Sequence, residues 1–368
     1  MAKFNLDYYS GENFYSDGDI EKEILKIVKT QGSYESMENV PFPVLYHLSR
    51  VRENILNWYP FQEDATCLEI GSGCGAISGL LCERMKKVVS VELSKQRADI
   101  NMARHERVPN LEIWVGNLND MVFGEQFDYI VLNGVFEYAP GFTEGDQPCE
   151  TFLKNIKRLL KPDGILLIAI ENRFGLKYFA GAPEDHTNGY FDGIAGYPDN
   201  HSVRTFSKGE WERLMEACGF SYHRFYYPYP DYKFPREVFT DESLKEQKYG
   251  LPTWNFTKYR MALFREGQVA ETIQQDGRMD YFANSFLIEM SRNQIRADKK
   301  VLYAKMSTDR DRHFSIATTI EEQNGEKSGC QAADDKRGKT SPAEYAEQTE
   351  RLRKLEQPWR EKQKAMLS

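Results

Sequence analysis

The chain has 368 residues, enough for two or three compact units, and its 40% of hydrophobic residues exclude wholesale disorder. Its 48 lysines and arginines against 56 aspartates and glutamates leave a formal charge of −8, which argues against nucleic acid as a partner. The longest apolar run, 165–170, is too short for a membrane span, and the N-terminus lacks the apolar core of a secretion signal, so we expect a cytoplasmic protein.

The cysteines are dispersed in a long chain and form no Cys-x-x-Cys pair. They are Cys67, Cys74, Cys82, Cys149, Cys218 and Cys330. This spacing predicts reduced thiols and no structural zinc site, and we assign no metal ligand from the sequence.

Residues 1–60 are predicted to form a helical N-terminal cap. Residues 1–18 are polar and aromatic, as in an irregular arm. Apolar residues at helical spacing predict a helix over 19–29, and a second amphipathic helix over 44–59 follows Pro41 and Pro43.

From residue 65 onward, short apolar runs alternate with helical segments. Strands are predicted at 66–70, 88–92, 111–115, 127–132, 165–170 and 221–227, and helices at 76–85, 95–107, 150–160 and 207–218. Ser94 and Ser207 are predicted N-caps. Near-continuous apolar strands separated by helices indicate an α/β fold, with a parallel sheet covered on both faces.

The alternation stops after residue 227. Residues 228–282, rich in proline and aromatic residues, are predicted to be an insertion that acts as a lid, and 283–291 is predicted to return to the sheet. The remainder, 292–368, is predicted to be a C-terminal extension. It would contain a strand pair at 301–306 and 314–320, a polar loop at 321–343 and a helix at 344–355.

The most informative motif is a glycine-rich turn between the strand at 66–70 and the helix that follows. Its sequence is Gly71-Ser72-Gly73-Cys74-Gly75. Glycines allow positive φ and the close approach of a ligand, and the helix N-terminus offers free N–H groups. By itself the turn also fits a dinucleotide fingerprint or a purely structural turn.

Two acidic residues bear on this choice. Glu69, two residues before the first glycine, suits an ammonium group and would repel a pyrophosphate. Glu92 ends the next strand, where a carboxylate can accept both ribose hydroxyls; this suits NAD equally well.

Three segments and one acidic residue, in this order, resemble the class I S-adenosylmethionine (SAM)-dependent methyltransferases: LEIGSGCGA (68–76), Glu92, FDYIVLNGVFEY (127–138) and LLKPDGILLIAIEN (159–172). The resemblance implies a Rossmann-like, doubly wound, seven-stranded sheet over 61–227 and 283–291, with SAM as cofactor. The stretch ENRFGLKYFAG (171–181) is similar to methyltransferase domains of bacterial surface-glycan assembly systems. In some of these a further catalytic domain follows, which implies a neighbouring domain or partner at the C-terminal end.

The resemblance also implies the cofactor contacts. They are Glu69, Gly71, Ser72, Gly73, Gly75, Glu92, Leu93, Asn117, Leu118, Asn133 and Gly134. Glu69 would face the methionine ammonium, Glu92 the ribose, and Leu93 and Asn117 the adenine. Asn117 stands where the family often has Asp. Glu137-Tyr138 stands where it often has Glu-His, which removes one possible histidine base.

The acceptor is expected beyond the carboxyl end of the strand at 165–170, because ligands bind there in such sheets. The polar and aromatic residues of 171–204 suit a hydroxyl of a sugar, a glycan or another small molecule. We predict His201 or His186 as general base and Arg173 as an orienting group. Predicted acceptor contacts are Asn172, Tyr190, Arg204, Tyr229 and Tyr232. The alternative is that these side chains only satisfy the loop's own hydrogen bonds.

Three other functions remain open from the sequence. An NAD-dependent oxidoreductase is disfavoured by Glu69 and by the LLKPDG segment. A nucleic-acid methyltransferase is disfavoured by the net charge and by Asn133-Gly134-Val135-Phe136 in the place of an Asn/Asp-Pro-Pro-aromatic tetrapeptide. A SAM-binding module without catalytic activity is the third.

Overall fold

A computed structural model of the chain describes residues 1–11, 18–30, 40–200, 202–246, 260, 262–293, 300–308, 315–323 and 326–333. Within these ranges twelve strands form one sheet. They are β1 (Lys3–Asn5), β2 (Thr66–Ile70), β3 (Lys87–Glu92), β4 (Leu111–Val115), β5 (Phe127–Asn133), β6 (Leu160–Glu171), β7 (Tyr222–Tyr229), β8 (Glu237–Thr240), β9 (Ser285–Ser291), β10 (Lys300–Ser307), β11 (Ile316–Gln323) and β12 (Glu326–Ala333).

The helices of the same ranges vary from four to twelve residues. They are α1 (Asp19–Thr30), α2 (Phe42–Leu48), α3 (Ser78–Arg84), α4 (Lys95–His105), α5 (Ala139–Phe142), α6 (Pro148–Leu159), α7 (Leu176–Phe179), α8 (Asp192–Ala195), α9 (Lys208–Ala217), α10 (Ser243–Glu246), α11 (Glu266–Gln275) and α12 (Met279–Phe282), together with 3₁₀ turns at Arg50–Ile55, Leu118–Asp120 and Phe136–Tyr138.

The strand order is β1-β4-β3-β2-β5-β6-β9-β7-β8-β10-β11-β12. The strands from β1 to β6 in this order pair in parallel, and β9 lies antiparallel between β6 and β7. The predicted α/β sheet is therefore present, and 283–291 returns to it as β9. The predicted count of seven strands is too low, because β1 extends one edge and β8 with β10–β12 extends the other.

The central strands are buried along almost their whole length because both faces of the sheet are covered. On β5, Ile130 and Leu132 pack into one core, whereas Tyr129 and Val131 pack into the core on the opposite face. This two-sided burial explains why these strands are near-continuous apolar runs in the sequence. It also places the strand ends, rather than a sheet face, at the positions open to a ligand.

Three local predictions were wrong. The arm at 1–18 contains β1, which pairs with β4. The helix predicted at 44–59 is divided at Ser49, whose extended backbone ends α2 and whose side chain accepts from Val51 N to begin a 3₁₀ turn. In the loop predicted at 321–343, β11 continues to Gln323 and β12 pairs with it antiparallel. The predicted helix at 344–355 lies outside the described residues.

Both predicted serine N-caps are present. Ser94 accepts from Arg97 N, and Ser207 forms a reciprocal capping box with Glu210. Across the described ranges, no helix combines the length and apolarity that a bilayer crossing requires. Cys67, Cys74, Cys82, Cys149 and Cys218 are free thiols.

Candidate active site

A cavity of about 800 Å³ opens at the carboxyl ends of β2, β3 and β5. This volume is in the range of pockets that bind small molecules and cofactors. Ten of the eleven predicted cofactor contacts line it. These are Glu69, Gly71, Ser72, Gly73, Glu92, Leu93, Asn117, Leu118, Asn133 and Gly134. Because they follow different strands, the parallel topology brings them to one edge of the sheet.

The three glycines of the turn have positive φ values of +69°, +54° and +75°. A Cβ on Gly71 would lie 2.4 Å from Val135 Cγ2, and one on Gly75 would lie 2.2 Å from Asn101 Oδ1. A Cβ on Gly73 would meet no atom within 4 Å. Gly73 therefore presents bare backbone to open space. Gly75, predicted as a cofactor contact, instead packs against α4 and is not part of the cavity wall.

Glu69 lines the cavity, and only one of its two carboxylate oxygens has hydrogen-bond partners. Its Oε2 accepts hydrogen bonds from Ser78 Oγ at 2.6 Å and Ser90 Oγ at 2.5 Å, whereas Oε1 has no partner. Burial raises the pKa of Glu69 to about 7, against the lowering effect of the two serines. An ammonium group is the kind of ligand that this oxygen lacks.

Glu92 braces the glycine turn. Its Oε2 accepts from Gly73 N at 2.7 Å and its Oε1 from Ser94 N at 2.9 Å, and burial raises its pKa. Each carboxylate oxygen retains a further lone pair. Glu92 can therefore hold the turn and still accept a ribose hydroxyl.

Two asparagines in the cavity wall differ in whether their side-chain oxygen already has a hydrogen-bond partner. Asn117 Oδ1 accepts from Asn119 N at 3.0 Å and so caps a 3₁₀ turn, which competes with the adenine contact predicted for it. Asn133 Oδ1, at the end of β5, is buried without a hydrogen-bond partner. The two unsatisfied oxygens, Asn133 Oδ1 and Glu69 Oε1, and the open space at Gly73 fit a polar cofactor with an ammonium group.

Residues of α1 and α2 also line the cavity, which the sequence did not indicate. Ile20 of α1 and Phe42 and Tyr46 of α2 line the cavity. A buried ion pair, Glu21 Oε1 to Arg97 Nε at 2.8 Å, joins α1 to α4. The predicted helices and their apolar faces were visible in the sequence, but the partner of each face was not.

His186 lies in the cavity wall between two glutamates. Its Nδ1 is 3.0 Å from Glu184 Oε1, and its Nε2 is 3.5 Å from Glu137 Oε1. Burial lowers the pKa of His186, but Glu137, Glu171 and Glu184 outweigh it and raise the pKa well above its usual value. The raised pKa favours the protonated ring, which argues against the predicted role of His186 as general base.

A second charged group completes this wall. Lys233 Nζ pairs with Glu171 and lies 2.8 Å from Asp185 Oδ1, and Asp185 Oδ2 lies 2.9 Å from Lys177 Nζ. The Tyr232 hydroxyl donates to Glu171 Oε1 at 3.2 Å. Lys233 and Tyr232 belong to the segment after β7, so the beginning of the predicted insertion contributes to the cavity.

Several predicted acceptor residues lie elsewhere. Arg173 Nη1 and Arg204 Nη2 both bind Glu210 Oε1, the capping residue of α9, at 2.8 and 2.9 Å. Asn172 is fully buried and donates to the backbone carbonyls of 281 and 283. Tyr190 is 57% exposed and Tyr229 is buried in the core, and neither is in the cavity wall. Of the predicted acceptor contacts only Tyr232 lines the cavity, and His201 lies outside the described residues.

Glu137 and Glu171 were not assigned a role from the sequence. Glu171 is the last residue of β6, and the rule that ligands bind at the carboxyl ends of strands pointed to it. Glu137 follows β5 within the segment that resembled the family. Phe42, Tyr46, Asp185 and Lys233 had no comparable signal, because the tertiary fold brings them to the cavity.

Comparison with known proteins supports one family. Residues 68–168 match the family model described as "Methyltransferase domain". The Bacillus subtilis (strain 168) protein named "Putative methyltransferase YqeM" is 24% identical over 190 residues, 44% of this chain and 76% of that protein. The malonyl-[acyl-carrier protein] O-methyltransferase of Priestia megaterium (strain DSM 319 / IMG 1521) is 24% identical over 110 residues, 30% of this chain and 38% of the relative.

Among solved structures, the phosphoethanolamine N-methyltransferase 1 of Haemonchus contortus, in complex with phosphoethanolamine and S-adenosylhomocysteine, is 14% identical. The match has a TM-score of 0.42 and covers 79% of this chain and 51% of that one. The family match spans the glycine turn, Glu92, Asn117, Asn133 and most of β6, which are the elements that build the cofactor side of the cavity. The chain thus contains a class I SAM-dependent methyltransferase domain, and its cofactor is SAM.

Proposed function

We propose that this methyltransferase transfers the methyl group to a hydroxyl of a sugar, a glycan or another small molecule. The observation that carries the proposal is that one cavity is lined by two chemically different groups of residues, which the strand order β3-β2-β5-β6 separates. The glycine turn, Glu69 and Glu92 line one end, and Glu137 with His186 lines the other. Cofactor and a polar acceptor can therefore meet within a single enclosure.

The cofactor end offers a partner for each polar part of SAM. Glu69 Oε1 would accept from the ammonium, Glu92 from the ribose, and Gly73 would allow the cofactor to lie against its backbone. Leu93 supplies an apolar contact for the adenine. When bound, SAM would supply a methyl group on a positively charged sulfur. In the transfer, the hydroxyl oxygen bonds to the methyl carbon in line with the departing sulfur, and the hydroxyl loses its proton.

The acceptor end combines ring faces with charged groups. Phe42, Tyr46 and Tyr232 line it, and the Arg52 guanidinium lies 4.1 Å from the centre of the Tyr46 ring and fixes that ring's position. Aromatic faces bind the apolar face of a sugar ring, and the carboxylates accept its hydroxyls. This mixture supports a small hydroxylated acceptor over a polyanion such as nucleic acid.

Glu137 is the group that we propose to accept the hydroxyl proton. Burial raises its pKa, and its Oε2 has no hydrogen-bond partner. His186, protonated, donates toward Glu137 Oε1 and stabilises the carboxylate form. A base with a raised pKa that faces the acceptor end is suited to proton removal near neutral pH.

The test measures SAM binding by calorimetry and transfer of labelled methyl groups to a panel of saccharides and small hydroxylated compounds. The wild-type protein should bind SAM and label at least one hydroxyl acceptor. Glu137→Gln should retain SAM affinity and lose about a hundredfold in turnover. Glu125→Gln, an exposed residue outside the cavity, is the matched control and should behave as wild type.

Full turnover in Glu137→Gln would show that another group removes the proton. SAM binding with labelling confined to amines or thiols would refute the hydroxyl assignment. Binding of NAD without binding of SAM would refute the cofactor placement as well.

A further inference from the structure

Three ionisable side chains from separate segments converge at the acceptor end. Glu137 follows β5, Glu171 ends β6, and His186 belongs to the loop before α8. One ligand atom from each of them can be chosen so that all three lie within 4.8 Å of one another. We propose that Glu137, Glu171 and His186 bind one divalent metal ion at the acceptor end of the cavity.

The two carboxylates are incompletely satisfied in the described structure. Glu137 is 1% exposed and Glu171 is 0% exposed, yet Oε2 of each has no hydrogen-bond partner. A buried carboxylate oxygen without a partner is costly. A cation bound between the two glutamates would offset this cost.

The surroundings of His186 are those of a metal-binding histidine. Its Nδ1 bonds to Glu184 Oε1, and Glu184 is itself held by the backbone N–H groups of His186 and Thr187, at 2.7 Å each, and by the Tyr197 hydroxyl at 3.1 Å. Such a carboxylate orients the ring and leaves Nε2 available to a metal. The metal would take the place of the proton on Nε2.

The other oxygen of Glu171 is fixed in a similar way. Its Oε1 accepts from the Tyr232 hydroxyl and pairs with Lys233 Nζ, which leaves Oε2 for the metal. Both glutamates can therefore bind through Oε2 without loss of their existing partners, apart from the shared proton between Glu137 and His186. The donors already present thus hold the ligands in place.

Charge at this end of the cavity also favours a dication. With a neutral His186 ring, the carboxylates outnumber the two lysines by three: they are Glu137, Glu171, Glu184, Asp185 and Asp231, against Lys177 and Lys233. A divalent ion removes most of this excess. One imidazole nitrogen and two carboxylate oxygens suit Mn²⁺ or Zn²⁺ better than a thiolate-selecting metal.

Such an ion would lie beside the acceptor hydroxyl and would lower the pKa of that hydroxyl. This catalytic role rests on the proposed function. Metal binding itself does not, because the ligands belong to the protein alone.

The experiment uses the full chain after treatment with a chelator, without SAM or acceptor. Mn²⁺ binding is followed by electron paramagnetic resonance, and Zn²⁺ is tested as its competitor. We expect one Mn²⁺ per chain, displaced by Zn²⁺. Affinity should fall at least tenfold in Glu137→Gln and in Glu171→Gln. It should fall about tenfold in Glu184→Gln, which loosens the orientation of His186 and removes one negative charge near the site.

The matched control is Glu289→Gln, since Glu289 is a buried carboxylate bonded to Tyr59 and Tyr226 and is not a member of the cluster. Its Mn²⁺ affinity should equal that of wild type, and circular dichroism checks that every variant is folded. The proposal is overturned if wild type binds neither metal stoichiometrically, or if folded Glu137→Gln and Glu171→Gln bind as wild type does. Failure of methyl transfer with Mn²⁺ still bound would refute only the proposed function.

Discussion

Replacement of Glu69 by Gln tests the electrostatics of the cofactor end directly. The carboxyl is fully buried, and Ser78 and Ser90 hydroxyls donate to one oxygen, which a glutamine carbonyl can replace. Glu69→Gln therefore removes an ionisable group while it keeps the shape and the two hydrogen bonds. Any pH dependence that disappears in the variant belongs to Glu69.

The expected change in the free energy of unfolding follows from the pKa of Glu69. Burial raises the pKa of Glu69 from 4.5 to about 7 in the folded chain. Because each pKa unit corresponds to roughly 1.4 kcal/mol, the folded state favours the protonated form by on the order of 3 kcal/mol. This contribution to stability is fully present below pH 4.5 and is lost as the pH rises through about 7.

The assay is urea-induced unfolding of both proteins at several pH values between 4.5 and 8. The difference in the free energy of unfolding, variant minus wild type, should increase across this interval by on the order of 3 kcal/mol, because only wild type must ionise a buried carboxyl. All other titrating groups are common to both proteins and cancel. A difference that stays constant with pH would refute the argument that burial raises the pKa of Glu69.

The remaining predictions concern SAM binding and the packing around the cavity. SAM affinity of wild type should rise by up to about tenfold from pH 6 to 8, as Glu69 ionises and can pair with the ammonium, whereas calorimetry of Glu69→Gln should show no such rise. Gly73→Ala should lower the free energy of unfolding by only about 1–2 kcal/mol, the cost of its positive φ. It should weaken SAM binding at least tenfold, because the added Cβ points into open space that the cofactor would fill. Unchanged affinity would show that the cofactor lies elsewhere. Gly75→Ala should destabilise more, since its Cβ would strike Asn101, and thermal unfolding with and without SAM separates the two effects. Asp185→Asn should lower the free energy of unfolding, measured by chemical denaturation, by about 3–5 kcal/mol because Lys177 and Lys233 both lose their shared carboxylate. A decrease below about 1 kcal/mol would show that the lysines find other partners.

The strands and helices that could be predicted are those whose own residues carry an apolar pattern or a cap. Apolar runs such as Ile165–Ile170 and the capping serine Ser207 predicted elements from their own residues, and their order predicted the parallel sheet. The edges were not predictable in this way. β1 and β12 have no distinctive apolar pattern, and they become strands because β4 and β11 present unpaired backbone groups to them.

The same distinction separates the two ends of the cavity. The cofactor end depends on one strand, one turn and the ends of neighbouring strands, so motif and topology together were enough to predict ten of its wall residues. The acceptor end was predicted from one loop, 171–204, but Arg173 and Arg204 point to Glu210 instead. A pair of arginines near a capping glutamate forms a structural ion pair as readily as an acceptor site, and only the fold decides between them.

At position 138 this chain has Tyr where the family often has His, and a histidine from a later loop lies nearby instead. Where the family often has Glu-His, this chain has Glu137-Tyr138, which suggested that a histidine was lost. In the structure His186 packs edge-on against Tyr138, with ring centres 5.6 Å apart, and directs Nε2 toward Glu137. An imidazole is therefore present beside the same glutamate, and Tyr138 supports it. Because His186 depends on Glu184 and Tyr197 for its orientation, the loop at 183–200 positions a ring in the cavity wall, which its own residues could not reveal.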